Sequence, residues 1–327
     1  MAPDPYSKLK PGDIALVIGG TGFIGSHLVK FLRDAGIRVR VFARRSFEDY
    51  PATLSAGIEP SDWFTGDNCD LRSLASACVG ARAVFYTYGI SRLSSRNVSE
   101  MERINVGGAK ALAEACAGAS VPCLIYVSSA LAAEPTTSSY ALSKRQAEKI
   151  LLKALNLQLA GVHISVLRPT NVYGHGMRGN IATMIKLISS RRLPPLPKLN
   201  NRMTLISVTD VCRAAFLAAT NSHVSGQIFT LVDGENYTPI LIEAAIYQFL
   251  DQKCRNWACP LMLFFIACLG AEALNQFGIW HNDFGLRTYR NLIKDRPYFA
   301  SANIPQLGFA PSQTFYTALP EITGINA

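Results

Sequence analysis

No stretch of this chain stays apolar for the ~20 residues that a membrane-spanning helix needs. The longest apolar run, PLMLFFIACLGA (Pro260–Ala271), stops at twelve. It reads as a buried or interface helix with Pro260 in its first turn, or else as a helix for a membrane surface or a partner. Cysteines stand at 69, 78, 116, 123, 212, 254, 259 and 268, and no two have Cys-x-x-Cys spacing. No histidine lies at a zinc-site spacing from them, so a structural zinc is excluded and no metal is expected. Reduced thiols in a cytoplasmic protein are the simplest account. MAPDPYSKLKPGD has no apolar core, so no secretory signal is expected. The net charge is +9, yet no single basic run dominates; Arg38–Arg45 and Arg191–Arg202 are the densest stretches. Without a nucleic-acid motif this argues against a nucleic-acid partner. It suits solvated surface or an anionic small molecule such as a nucleotide. Charged residues make up 17% and hydrophobic residues 49% of 327. That excludes disorder and allows a large core.

What is present is a regular alternation. IALVI (14–18) is a short apolar run apt for a buried parallel strand. GGTGFIG follows, then SHLVKFLRDAG with helical periodicity. VRVFARR, WFTGDNCD, AVFYTYG, CLIYVSS and HISVLRP supply further strands. Helices are predicted between them at LRSLASACVG, Glu100–Ala119 and Tyr140–Ala160. This alternation predicts an α/β fold: a doubly wound parallel sheet of Rossmann type, covered on both faces. After Pro169 the pattern loosens into loops, a strand-like TLISV, a helix over Val211–Thr220, a strand GQIFTLV and further helices. We divide the chain into a dinucleotide-binding domain, 1–170, and a smaller C-terminal substrate region, 171–327, partly interleaved with the first. Asp210 reads as a helix N-cap, and His27 as structural.

The triplet Gly19-x-x-Gly22-x-x-Gly25 lies between the first strand and the first helix. Such a loop lets backbone approach a pyrophosphate, and the helix N-terminus offers its unpaired N–H groups. The second strand ends Ala43-Arg44-Arg45, where an acid would bind a ribose 2′-hydroxyl. Arginine pairs with a 2′-phosphate, so NADP is preferred and NAD remains possible. Asp67-Asn68 follows the third strand, where Asp67 could accept from an adenine amino group.

Tyr140-x-x-x-Lys144 opens the helix after the fifth strand, and Ser128-Ser129 end that strand at its ligand-binding edge. A phenol near pKa 10 is a poor base at neutral pH. Lys144, one turn on, lies on the same face and is expected to lower the Tyr140 pKa by its charge. Ser129 is expected to hydrogen-bond the substrate oxygen.

These motifs, with GDNCD (66–70), INVGGAK (104–110), LIYVSS (124–129), LRPTNVYG (167–174), NRMTLISVTDV (201–211) and LGFAPS (307–312), carry a resemblance. The chain resembles the extended short-chain dehydrogenase/reductases, specifically the NAD-dependent epimerase/dehydratase group. The resemblance implies catalysis by Ser129, Tyr140 and Lys144. It implies cofactor binding by Gly19, Gly22, Phe23, Ile24, Gly25, Arg44, Asp67, Asn68, Tyr86, Tyr88, Asn105, Tyr140, Lys144 and Pro169. Ser129, Asn171, Asn180 and Arg202 would meet the sugar or diphosphate of a nucleotide-sugar substrate. Residues 176–208 look most like bacterial members that serve polysaccharide assembly. On this resemblance the leading expectation is an NADP(H)-dependent 4-ketoreductase of a nucleotide sugar, a cytoplasmic homodimer. A 4-epimerase, a reductase of an apolar alcohol or ketone such as a sterol, and a non-catalytic dinucleotide-binding protein are the alternatives. Three departures stand out. Tyr88 replaces the family's usual small residue, and its ring would crowd or stack on the cofactor. Only ten residues separate Ser129 from Tyr140. Ala132-Ala133-Glu134 replaces the usual Val-Tyr-Gly.

Overall fold

The computed structural model describes residues 9–50, 57–90, 98–155, 161–254, 257–276, 285–295 and 297–324. Seven strands form a parallel sheet in the order β3-β2-β1-β4-β5-β6-β9. They are β1 (Ile14–Ile18), β2 (Arg38–Ala43), β3 (Trp63–Thr65), β4 (Ala83–Tyr86), β5 (Cys123–Val127), β6 (His163–Pro169) and β9 (Ile228–Leu231). A separate pair joins β7 (Asn171–Tyr173) and β8 (Leu205–Ser207). The order reverses direction between β1 and β4, the switch point at which open α/β sheets bind ligands.

The strands read as apolar runs because helices cover both faces. One core packs α1 (Phe23–Asp34) and α7 (Val208–Thr220) on the sheet through Leu28, Leu32, Val211 and Ala215. The other packs α2 (Leu71–Cys78), α4 (Gly108–Gly118) and α5 (Ser139–Leu155) through Leu74, Leu112, Ala147 and Leu151. Alanine recurs along α4, which lets it sit close to the sheet.

The long helix expected over Glu100–Ala119 is not uniform. It comprises α3 (Val98–Glu102), a π-helical turn over Arg103–Gly107, and then α4. Helix α5 is described to Leu155; the expected extension to Ala160 lies outside the described residues. Helix α7 begins at Val208, earlier than expected, and its cap is Ser207, whose hydroxyl accepts from Asp210 N at 2.9 Å. Asp210 is therefore not the N-cap. It is buried in the first turn and accepts from the Ser312 amide and hydroxyl and from Arg213.

Two compact units emerge, and the chain passes between them repeatedly. One is Met1–Val172, Ile206–Val232 and Phe299–Ser312; the other is Tyr173–Leu205, Asp233–Tyr298 and Gln313–Ala327. Strand β9 is one such return, coming back to complete the sheet beside β6. The second unit contains α6 (Asn180–Ser189), α8 (Pro239–Phe249), α9 (Leu261–Gln276), α10 (Leu286–Ile293) and α12 (Phe315–Thr323); the short α11 (Ile304–Leu307) belongs to the first. Its core gathers Tyr173, Ile188, Tyr237, Ile246 and Phe315. Of the readings open for Pro260–Ala271, the buried one is corrected, while an interface or surface helix stays open. Of α9 only Phe264, Cys268 and Ala271 are buried, and Pro260 lies just before the helix.

Candidate active site

The glycine loop is built for close backbone approach. Gly19 has φ +84, and a Cβ there would lie 2.9 Å from the Tyr88 amide nitrogen. A Cβ on Gly25 would lie 2.0 Å from the Gly19 carbonyl oxygen, so no other residue fits. Gly22 caps α1 without any side chain, and its first turn carries no acid. The amides of that turn, Phe23 and Ile24 among them, suit a pyrophosphate.

Beside the loop, the Arg44 guanidinium lies 5.9 Å from the Tyr88 ring centroid, a cation–π contact. Tyr88 is half-buried against Gly19 and partners Arg44 instead of standing free. Asp67 is exposed and pairs with Arg103 at 3.3 Å; the Cys69 amide, more than Arg103, holds its carboxyl below the usual range. The side chains of Asn68 and Tyr86 both face the core. Asn68 Nδ2 donates to Tyr86 Oη at 2.8 Å and to the Ile104 carbonyl at 2.9 Å. Tyr86 is fully buried and stacked on Tyr126. Pro169 ends β6, buried at the same sheet edge.

Ser129 follows β5 in extended conformation, its hydroxyl accepting from the Leu131 amide at 3.3 Å, and it lowers the pKa of Tyr140, the second residue of α5. The two adjacent serines have different surroundings. Ser128 Oγ donates to Glu148 at 2.5 Å, and Glu148 also takes Arg168 through Nε at 2.8 Å and Nη2 at 2.5 Å. Ser128 is thus turned into a buried ion pair, while Ser129 faces the phenol. Lys144 is 3% exposed. Its Nζ donates to the Val127 carbonyl at 3.1 Å and to Tyr126 Oη at 3.4 Å, and sits 4.9 Å from the Tyr126 ring centroid. Burial lowers its pKa to about 8, and Glu148 opposes that shift. The Tyr140 phenol is pushed up to about 12 by burial, against the pull of Ser129. The expected lowering of Tyr140 by Lys144 is therefore corrected: burial raises the phenol, Ser129 is what opposes it, and the ammonium is directed at Val127 and Tyr126.

The π-helical turn places Asn105. Its Oδ1 accepts from the Ile90 amide at 3.0 Å, and its Nδ2 donates to the Ile90 carbonyl and to Ser143 Oγ. One buried amide thus ties the segment after β4 to α5. Π-turns of this kind concentrate at functional sites. Sequence reasoning missed Glu148, Arg168, Tyr126 and Gly89. Glu148 continues the four-residue spacing of Tyr140 and Lys144, a signal that was available. Gly89 closes AVFYTYG, and a Cβ there would meet Lys144 Nζ at 2.9 Å and Asn105 Oδ1 at 3.3 Å.

The residues expected to meet substrate are less gathered. Asn171 and Asn180 are exposed, at the starts of β7 and α6. The Arg202 side chain pairs with Asp295 at 3.3 Å, and its backbone amide donates to the same carboxylate. Asn180, Arg202 and Asp295 belong to the second unit, the Ser129–Tyr140–Lys144 group to the first. Among the described residues no group of His, Cys, Asp and Glu could hold a metal. A phenol beside a hydroxyl and one helical turn from an ammonium can pass a proton to or from an oxygen.

Comparison with known proteins agrees with this geometry. The Ceramide reductase of Caulobacter vibrioides is 32% identical over 237 residues, 71% of this chain and 69% of that protein. Short-chain dehydrogenase/reductase family 42E member 1 of Xenopus laevis is 24% identical, covering 83% and 76%. Among solved structures, the UDP-glucose 4-epimerase of Thermotoga maritima with UDP-glucose superposes with a TM-score of 0.73 at 19% identity, covering 95% and 97%, a likeness of fold. The profile of the NAD dependent epimerase/dehydratase family matches residues 15–231. The chain belongs to that family, and it is an NAD(P)-dependent oxidoreductase or epimerase of the extended short-chain dehydrogenase type.

Proposed function

We propose that this protein is an NADPH-dependent reductase of a carbonyl carbon on a large apolar, lipid-type substrate. The Ser129–Tyr140–Lys144 arrangement carries the reaction class. A bound dinucleotide would be held by the glycine loop and Arg44, and its chemistry there would be hydride supply to the carbon. Tyr140 gives its proton to the carbonyl oxygen, and Ser129 orients that oxygen. A phenol pushed up to about 12 stays protonated at neutral pH, which suits a proton donor better than a base. Lys144 carries its positive charge one helical turn on, against Val127 and Tyr126, and Asn105 fixes the helix that carries both. Arg44 stacks on Tyr88 and has no carboxylate partner among the described residues, which leaves its charge available to a 2′-phosphate.

One observation supports the apolar substrate over a nucleotide sugar: the Arg202 guanidinium is engaged by Asp295, within the second unit itself. The name of the Caulobacter relative points the same way. A second reading keeps the nucleotide sugar, reduced or epimerised at C4. It is favoured by the exposed cations Arg178, Arg191, Arg192 and Lys198 around α6, which suit a diphosphate. Free thiols throughout fit a cytoplasmic enzyme, and a homodimer is carried over by family analogy.

Purified protein with NADPH is to be offered a detergent-dispersed long-chain keto-lipid, a sterol ketone and a UDP-4-keto-sugar, with consumption of NADPH followed. Turnover of a lipid ketone alone supports the first reading. Turnover of the sugar alone, or interconversion of UDP-sugars without net NADPH consumption, replaces it with the second. Arg44→Ala should raise KM for NADPH about tenfold or more and leave NADH use unchanged, as loss of a charge-assisted contact predicts.

A further inference from the structure

Helix α9 is apolar where a globular protein is normally polar. Met262 is 75% exposed, Leu263 54%, Ile266 52% and Leu269 48%, and Leu261, Phe265 and Leu274 are exposed as well. No charged residue occurs before Glu272. At 100° per residue the exposed set from Met262 to Leu269 covers an arc of about 160°. The buried set, Phe264, Cys268 and Ala271, faces the opposite way. That arc is wider than the ~100° stripe by which a helix packs on a globular neighbour. A partner helix or a second copy would cover a stripe, whereas a layer of lipid covers a wide arc. Sixteen residues make a helix about 24 Å long. That is short of a bilayer's hydrocarbon thickness, and no described helix is long and apolar enough to cross a membrane.

The surroundings of α9 favour an anionic surface. Trp257, 63% exposed, precedes the helix, with the exposed Lys253 just ahead of it. Helix α10 packs on α9 by the Tyr289 ring, 5.0 Å from that of Phe265, and carries the exposed Arg290. Of the nearby carboxylates, Glu272 accepts from the Leu286 amide and Asp295 pairs with Arg202, while Asp251, two residues before Lys253, is exposed. The whole chain carries +9.

We propose that α9 docks the protein on the surface of an anionic lipid bilayer, lying in the headgroup layer with Met262, Leu263, Phe265, Ile266 and Leu269 immersed. Exposed tryptophan and flanking cations are the composition of interfacial helices. Docking would let the enzyme draw a bilayer-held ketone directly; this last step alone rests on the lipid-substrate reading above.

Flotation tests it. Full-length protein is mixed with vesicles of phosphatidylcholine plus phosphatidylglycerol, or of phosphatidylcholine alone, and the bound fraction is compared with that of the double variant Leu263→Glu/Ile266→Glu. Both positions are exposed, so folding is expected to persist, checked by NADPH binding and melting temperature. The proposal expects wild type to float with the anionic vesicles. It expects about tenfold weaker binding for the variant, partial release by high salt, and less binding to phosphatidylcholine alone. Wild type that stays in solution at low salt overturns it. So does a wild-type dimer that the same double variant converts to monomer, since a second copy would then occupy the face. Activity on detergent-dispersed substrate separates this from the functional reading. Vesicle binding without lipid-ketone turnover keeps the docking and sinks the substrate. Turnover without vesicle binding does the reverse.

Discussion

Tyr140 is the residue on which the proposed chemistry turns. Burial keeps its phenol protonated, against the pull of Ser129. Replacing it by Phe removes one oxygen and little volume, so turnover should fall by about 10²–10⁴-fold, the usual worth of a positioned acid. NADPH binding, followed by fluorescence, should be unchanged. Retained turnover would reopen the non-catalytic alternative. Lys144 sets the pH limit. Its folded pKa of about 8 lies below the ordinary 10.5. The ammonium is therefore present below about 8 and lost above it, and the reductive rate should fall as pH rises through that value. By linkage, the stability that Lys144 contributes is full above 10.5 and is lost as pH falls to about 8, because over that range the unfolded chain binds a proton that the buried amine does not. Glu148 raises the Lys144 pKa. In Glu148→Gln the alkaline limb of the rate profile should move to lower pH. The same change leaves the Arg168 charge without its counterion and should cost about 3–5 kcal/mol in urea unfolding. An unmoved limb would show that Glu148 is structural only.

At the scale of elements, the strand–loop–helix at β1–α1 depends on hard contact distances. In Gly25→Ala the new methyl meets the Gly19 carbonyl at 2.0 Å. The loop has to open, so affinity for NADPH should fall more than about tenfold, with overpacking costing about 1–3 kcal/mol by thermal melt. Unaltered affinity would mean the cofactor is not seated there. The glycine spacing was legible because φ and close approach admit few residues, and the same logic made β1 to β6 readable from their apolar runs. The π-turn at Arg103–Gly107 was not legible. Its sequence, RINVG, has ordinary helical content, and only the paired bonds of Asn105 to Ile90 explain the irregularity.

On the scale of the whole molecule, separate cores serve the two units. Phe315 is fully buried in the second, edge-on to Tyr173 at 5.6 Å and Tyr237 at 6.2 Å. Its amide donates to Tyr237 Oη, which in turn is bonded to Asp233. Phe315→Ala should destabilise by about 3–5 kcal/mol. A drop in melting temperature with NADPH affinity intact at low temperature is the expected outcome; loss of both together would tie the second core to the cofactor site.

By itself the sequence determined the parallel sheet, the glycine loop and the Tyr140–Lys144 pair, since each rests on local periodicity or on a steric need at fixed spacing. Tertiary structure alone decided the rest. It gave Ser128 and Ser129 different surroundings, because Glu148 and Arg168 arrive from elsewhere in the chain to claim Ser128. It turned Asn68 and Tyr86 into core residues and set Arg202 against Asp295. It left α9 exposed, although an apolar run of that length reads equally well as core. Burial and electrostatic pairing are properties of what surrounds a side chain, and those surroundings come from residues far away in sequence.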